Sequence, residues 1–276
     1  MTNELWITEQ LHPFYRTSLK YTEMLLDVQT EFQHLQVVQT EFFGRVMLLD
    51  GIIQLTELDN MGYHELITNI GMLAVDQPKR VLVVGGGDGG VLQQMLYHPG
   101  VEEAVICELD QGVIDAGREF FPKFNDPYAD SRVEIVIRDA FYYLKENVGK
   151  FDVIVADTTD PIGAAEKLFT EEFYGLMVNA LTPGGVAVSQ CEQMFFNRDL
   201  IREMMINAKK LVRHPAYYYS VIPTYPGGQI GYMYMSNEPW QRGLGKAYPK
   251  ELRYLNAEVH QAAFALPQFL KETLAN

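Results

Sequence analysis

Arg80-Val-Leu-Val-Val-Gly-Gly-Gly-Asp-Gly-Gly90 is the stretch that decides the fold. Val81 to Val84 form a short apolar, mostly β-branched run, the pattern of a strand buried on both faces in a parallel sheet. Gly85, Gly87 and Gly90 satisfy G-x-G-x-x-G, and Val91-Leu-Gln-Gln-Met-Leu96 follows with helical spacing. Glycine at these positions lets the backbone turn tightly and approach a ligand closely. Alone, the motif also fits a plain strand-to-helix turn. A second cue narrows it: Ala104-Val-Ile-Cys107 is another apolar run, and Glu108 ends it about twenty residues after the glycines, where an acid accepts both hydroxyls of a ribose. Asp88 selects the kind of nucleoside. A carboxylate in that loop repels a pyrophosphate, which wants bare N–H groups at a helix N-terminus, and it attracts a cation. An S-adenosyl sulfonium compound therefore fits better than NAD.

Outward from this stretch, strands and helices alternate. The strand candidates are 80–86, 103–109, 133–138, 151–156 and 184–190. The helix candidates are 89–97, 111–121, 140–147, 170–181 and 197–212. This alternation predicts a doubly wound parallel sheet. Two later runs, Ala216 to Ile222 and Ile230 to Met235, are joined by Pro223-Thr-Tyr-Pro-Gly-Gly228. A link that short cannot cross over, so the pair is antiparallel. Seven strands ending in a hairpin define a methyltransferase-like Rossmann fold. Residues 1–58 read differently, as a small antiparallel β domain, with Asp50-Gly51 as a hairpin turn. Trp6 and Phe14 are expected in its core or at an interface. Met61 to Ala74 reads as a helix leading into the catalytic domain, residues 59–276. The tail 256–274 reads as an amphipathic helix broken by Pro267.

In an open α/β sheet, ligands sit beyond the carboxyl ends of the strands. The first strand delivers Asp88 there, the second Glu108 and Asp110, and the third Asp139-Ala140. The fourth delivers Asp157-Thr-Thr-Asp160 and the fifth Gln190-Cys-Glu192. The terminal hairpin adds Tyr225. Acids placed for solubility alone would not collect at one end of five strands. Asp160-Pro161 also fits a turn start, yet two acids three apart after a buried strand make a pocket for an ammonium group. Glu192 reads either as the anchor of a second, distal ammonium, with Gln193 beside it, or as an exposed cap of the helix near Asn197. The acids have no histidine in metal-ligand spacing, so no metal site is expected.

Composition sets the remaining limits. At 276 residues the chain can bury a large core, and 47% hydrophobic content is ordinary for a globular protein. A net charge of −14 disfavours nucleic acid and anionic membranes as partners. No apolar run has the length of a membrane span, and the N-terminus lacks the basic-then-apolar pattern of a signal peptide. Cys107 and Cys191 both lie in apolar strand-like runs and read as buried free thiols in a reducing, cytoplasmic setting.

These pieces together resemble the polyamine aminopropyltransferases, the spermidine synthase family. The matching motifs are Leu49-Asp-Gly-Ile-Ile-Gln54, Tyr63-His64-Glu65, Val83 to Gly90, Glu108-Leu-Asp110, Asp157 to Gly163, Leu168 to Tyr174 and Ile222 to Gly228. The resemblance implies aminopropyl transfer from decarboxylated S-adenosylmethionine to an amine, usually putrescine, without a metal or cofactor, in a homodimer or homotetramer. It implies that Gln33, His64, Asp88, Glu108, Asp139 and Ala140 hold the donor, with Gly85 and Gly87 in the loop. Tyr63, Asp157, Asp160 and Tyr225 would hold and activate the acceptor, with Asp157 as base. Loop 158–169 resembles the family's gate. The chain departs from the pattern at 59–62, at Ala140 for a common glycine and at Ala164 for a common proline. Two other readings stand beside this one: an N-methyltransferase using intact S-adenosylmethionine, and a catalytically dead polyamine-binding protein.

Overall fold

The computed structural model describes residues 4–124 and 126–275; Met1 to Asn3, Asn125, Asn276 and the side chains of Lys123 and Ala164 lie outside the description. Two sheets organise the chain. The first joins β1 (Leu5–His12), β2 (Tyr15–Gln29), β3 (His34–Thr40), β4 (Arg45–Leu49) and β5 (Ile52–Thr56) in that spatial order, all antiparallel. Asp50 and Gly51 close the β4–β5 hairpin with φ of 49° and 78°, as a two-residue turn of the primed type requires.

The second sheet holds seven strands: β6 (Arg80–Gly85), β7 (Glu103–Glu108), β8 (Val133–Ile137), β9 (Phe151–Asp157), β10 (Leu181–Gln190), β11 (Ala216–Val221) and β12 (Gln229–Ser236). Their order is β11-β12-β10-β9-β6-β7-β8. Strands β6 to β10 are parallel, and β12 and β11 add the antiparallel hairpin. The chain winds from β6 out to β8 and then returns to place β9 on the other side of β6. The crevice of a doubly wound sheet opens at that reversal. Gly85 and Asp157, the last residues of β6 and β9, pair across it.

Helix α1 (Asn60–Ala74) links the sheets. Every residue from Gly62 to Ala74 is buried, because α1 is covered by α2 (Gly90–Leu96), the strands β9 to β12 and the segment after β12. The carboxylate of Glu65 fixes that segment, accepting the backbone N–H groups of Arg253, Tyr254 and Leu255 at 2.8–2.9 Å. The other helices are α3 (Gln111–Phe120), α4 (Ala140–Glu146), α5 (Glu171–Ala180) and α6 (Arg198–Leu211). The tail forms α7 (Ala257–Ala263) and α8 (Gln268–Ala275), parted at Pro267 as its sequence indicates. The N-terminal sheet packs on α3, where Leu35, Val37 and Met47 share one core with Val113, Ala116 and Phe121.

Some sequence expectations move. Strand β10 begins at Leu181, three residues before its expected start, and takes over the last residue assigned to the preceding helix. Trp6 and Phe14 are 53% and 71% exposed, so neither is a core residue of this chain. Cys107 and Cys191 are buried and unpaired. Among the described residues no helix is long and apolar enough to cross a membrane.

The Glu65 contact gives a direct test of how α1 is held. Hydrogen bonds to a charged acceptor contribute about 1.5–3 kcal/mol each. Replacing Glu65 with Ala is expected to lower unfolding stability by roughly 3 kcal/mol, since part of the freed backbone regains water. A loss well under ~1 kcal/mol in chemical denaturation would show that the 253–255 segment is held by its apolar contacts instead.

Candidate active site

The carboxyl ends of the parallel strands open into one cavity of about 500 Å³. Strand β6 supplies its floor. Gly85, Gly86 and Gly89 all have positive φ, and a Cβ on Gly85 would sit 2.2 Å from the Asp157 carbonyl oxygen. Only glycine permits both the turn and this closeness. Asp88 folds back so that its Oδ1 accepts the N–H of Gly90 at 2.6 Å.

On the β7 side, Glu108 accepts three backbone N–H groups: Leu109 at 2.7 Å, Asp110 at 3.0 Å and Gly87 at 3.2 Å. Burial nevertheless pushes its pKa up to about 7. Gln33 reaches over from the N-terminal domain and donates to Asp110 at 3.0 Å, beside a 2.7 Å bond from Thr30. Asp139 caps α4 by accepting the Phe141 N–H, and its second oxygen binds Lys167 Nζ at 2.8 Å. Burial disfavours its charge, yet Lys167 and the Phe141 N–H hold its pKa below the usual carboxylate range. Lys167 lies in the 3-10 turn Gly163–Phe169 of the expected gate. Ala140 lines the same side.

The opposite end carries the reactive-looking acids. Tyr63 donates its hydroxyl to Asp157 Oδ1 at 2.6 Å. Asp157 Oδ2 has no hydrogen-bond partner among the described residues. Burial raises the Asp157 pKa to about 7, and the like charge of Asp88 adds to the shift. Tyr63 stays a donor, because burial and the Asp157 charge push its own pKa well up. Tyr225 donates to the Gln54 carbonyl and stacks edge-on against Tyr63. Asp160 lines the cavity beside Gln190 and Gln193, and burial raises its pKa to about 6.

Two of the expected residues lie behind the wall. His64 is 2% exposed, with Nε2 3.4 Å from Asp88 Oδ1. Burial opposes an imidazolium there, but Asp88 outweighs it and the pKa rises. His64 thus positions Asp88 from beneath. Glu192 is fully buried and does not line the cavity. Its carboxylate accepts from Asn197 Nδ2 and hydrogen-bonds Asp160. The direct-anchor reading of Glu192 is therefore corrected, as is the exposed-cap alternative. The physical reason is its burial behind the wall, where Asn197 holds the carboxyl group and the backbone takes a φ of 56°.

One wall residue escaped the sequence reading. Glu9 comes from β1 in the N-terminal sheet and is 1% exposed. Its Oε1 accepts the Ile53 N–H at 3.0 Å, and Oε2 is unpartnered. Burial first, then nearby Asp160, raises its pKa to about 7. The available signal is strand parity: Ile7, Glu9 and Leu11 alternate on one face, and an acid among inward apolar residues asks for a partner. Among the described residues His64, Asp88 and Asp157 also offer ligand atoms within 4.8 Å of one another.

Fold and site define a methyltransferase-like α/β architecture whose parallel strand ends open into one cavity carrying several buried acids. Comparison with known proteins sharpens the class. Residues 60–242 match the spermine/spermidine synthase domain, and residues 5–57 match the spermidine synthase tetramerisation domain. The chain is 40% identical to the spermidine synthase of Dictyostelium discoideum, over 98% of this chain and 97% of that one. It is 39% identical to a polyamine aminopropyltransferase of Leptospira biflexa, over 97% of each. A crystal structure of a spermidine synthase in complex with the transition-state analogue AdoDATO superposes with a TM-score of 0.95 at 34% identity, covering 98% and 95% of the two chains. The chain belongs to the spermidine synthase family of polyamine aminopropyltransferases.

The raised pKa of Asp157 has a thermodynamic consequence. A carboxyl whose folded pKa lies above its unfolded value stabilises the fold at low pH, and that contribution is lost as pH rises toward the folded pKa. For Asp157 the window runs from 3.8 to about 7. Without ligand, Asp157→Asn is expected to gain in Tm relative to wild type as pH rises from about 4 to about 8. A difference in Tm that stays constant across that range would mean Asp157 is ordinarily solvated.

Proposed function

We propose that the protein transfers the aminopropyl group of decarboxylated S-adenosylmethionine to one amine of a diamine, putrescine being the favoured acceptor and spermidine the product. Methylthioadenosine is the other product. The supporting observation is the arrangement of acids within one cavity: Asp157 with a free oxygen at the reaction end, and Glu9 and Asp160 beyond it. A diamine carries two ammonium groups. One must lose its proton to react, and the other needs a buried anion.

The donor's ribose lies against Glu108 and its base toward Asp139 and Ala140. Asp88, braced by His64, faces the positive aminopropyl chain. The acceptor amine has a pKa near ~10.4, so capturing its neutral form from water at neutral pH costs about 4 kcal/mol. Asp157 accepts that proton in the site, where the neighbouring sulfonium charge disfavours the ammonium form of the amine. Tyr63 fixes the Asp157 carboxylate so that its free oxygen meets the amine. The amine lone pair then forms the N–C bond while the C–S bond breaks, and the sulfonium leaves as a neutral thioether. The donor is already activated and acts as a cosubstrate, so the reaction needs no cofactor. Asp160 and Glu9 hold the distal ammonium, and Tyr225 closes the acceptor pocket. The protein works in the cytoplasm as a homodimer or homotetramer, and the exposed β1–β2 face with Trp6 and Phe14 is the surface for that assembly.

Two measurements test this. Calorimetry is expected to show decarboxylated S-adenosylmethionine binding far more tightly than the intact molecule, whose carboxylate would meet Asp88 and Asp157 as a buried like charge. Equal affinities would favour methyl transfer instead. Asp157→Asn is expected to lower kcat by roughly 10²-fold or more, the scale of general-base catalysis, with donor affinity retained. Asp160→Asn is expected to raise the acceptor KM more than it lowers kcat. Mass spectrometry of the product from putrescine decides among aminopropyl transfer, methyl transfer and no reaction.

A further inference from the structure

Of the acids that the parallel strands bring to the site, Glu192 alone stays out of the cavity wall. It sits just past β10 in a left-handed backbone conformation, with φ of 56°. A non-glycine residue adopts that region only when its surroundings force it. Here its carbonyl accepts the Tyr217 hydroxyl at 2.9 Å and the Gly231 N–H at 2.9 Å, and its own N–H donates to Gln190 Oε1 at 3.3 Å. The fold spends three contacts to hold one strained glutamate.

The carboxyl group so placed meets no cation among the described residues. Asn197, at the start of α6, donates to Oε2, and Gln190 Nε2 lies 3.4 Å from Oε1. The titratable groups around it are Asp160 from the loop after β9, Cys191 beside it, Tyr174 of α5 and Tyr217 of β11. All of them are acids. On its cavity side Asp160 in turn faces Glu9 and Tyr225. Two carboxyls in contact, Glu192 fully buried and Asp160 on the cavity wall, with no cation beside them among the described residues, share one proton. The proton belongs to Glu192, the more deeply buried of the two. Burial and then the Asp160 charge raise its pKa to about 8.

We propose that Glu192 is a positioning residue for the acceptor: in the empty site it donates a proton to Asp160, and a diamine that docks on Asp160 drives that proton out to solvent. The inference rests on the reading of the acceptor as a dicationic amine. The balance is simple. Glu192 goes from carboxylic acid to carboxylate, the proton passes to buffer, and the incoming ammonium, docked on the cavity side of Asp160, supplies the positive charge that the pair of carboxyls gives up. No covalent bond to carbon changes. Acceptor binding is thereby coupled to pH independently of the deprotonation at Asp157. Each proton released makes affinity rise by roughly tenfold per pH unit below the pKa of the releasing group.

The test is titration calorimetry of putrescine into the full-length protein saturated with methylthioadenosine. It is run at neutral pH in buffers of different ionisation enthalpy. The slope of heat against buffer enthalpy counts the protons released. Glu192→Gln keeps an N–H where the acid has its O–H, so Asp160 retains its donor. This variant is expected to release close to one proton fewer than wild type, and its acceptor Kd is expected to lose roughly a tenfold-per-unit slope between about pH 6 and 8. A merely structural role would shift Kd equally at all pH values. Asn197→Ala supplies the second variant: loss of the donor to Oε2 is expected to move the pH dependence of acceptor binding to higher pH. Equal proton counts in wild type and Glu192→Gln, or an unmoved profile in Asn197→Ala, would overturn the proposal. Failure of the functional reading would look different, with no putrescine binding and no aminopropyl product in the wild-type protein.

Discussion

The site depends on a shortage of positive charge. Acids outnumber cations among the charged residues of the cavity wall, and its two basic side chains are already engaged: Arg138 with Glu146, and Lys167 with Asp139. Asp157, Glu9 and Glu108 therefore sit in a low-dielectric space with hydrogen bonds and each other, and His64, behind the wall, only partly offsets the acid charge at Asp157. Coulomb repulsion in such a space is far stronger than in water. The protein answers by raising their pKa values toward neutrality, so that the empty site is part protonated. A ligand that brings its own positive charge meets a cavity already shaped for it, and one that brings a carboxylate does not.

Holding these acids together requires rigid supports, and the supports explain much of the fold. Tyr63 and His64 are neighbours on one buried helix, so the residue that orients Asp157 and the one that braces Asp88 cannot move independently. Gly90 is what lets His64 lie so close, since a Cβ there would fall about 2.1 Å from the imidazole ring. The N-terminal sheet is part of the same machinery. It contributes Gln33 to the cavity beside Asp110 and Glu9 to the cavity near Asp160, and its core is continuous with α3. A catalytic domain cut from this sheet would lose one wall of the cavity.

What could be read from sequence follows from how each signal is written. The parallel strands carry continuous apolar runs with an acid at each end, so Asp88, Glu108, Asp139 and Asp157 were legible as one set. Alternation of strands and helices fixed the sheet type, and the short 223–228 link fixed the antiparallel pair. Glu9 was not legible in this way, because it joins the site from a separate antiparallel sheet through tertiary packing. Glu192 was legible as an acid at a strand end but not in its direction. Nothing in Gln190-Cys-Glu192 marks a left-handed residue, since the usual marker is glycine. Lys167 was hidden for a similar reason: only the path of the gate brings it onto Asp139.

A left-handed glutamate, an unpartnered Glu9 oxygen and a free Asp157 oxygen each cost stability in the empty protein. Such costs persist in a fold when the rest of the structure over-determines them. Here the apolar core on both faces of the seven-stranded sheet does so, with Val83, Val153 and Val155 on one side and Leu82, Ile154 and Phe173 on the other. The sheet needs none of the cavity acids for its own cohesion, which leaves them free to be arranged for a ligand. Any cation that fills the cavity then recovers electrostatic energy the empty fold gives up, and stabilises the protein in proportion to how far its concentration exceeds its Kd. The gate follows the same logic. Lys167 pairs with Asp139, so the cation of the loop is engaged there and not with Asp157 or Glu9 at the other end of the cavity.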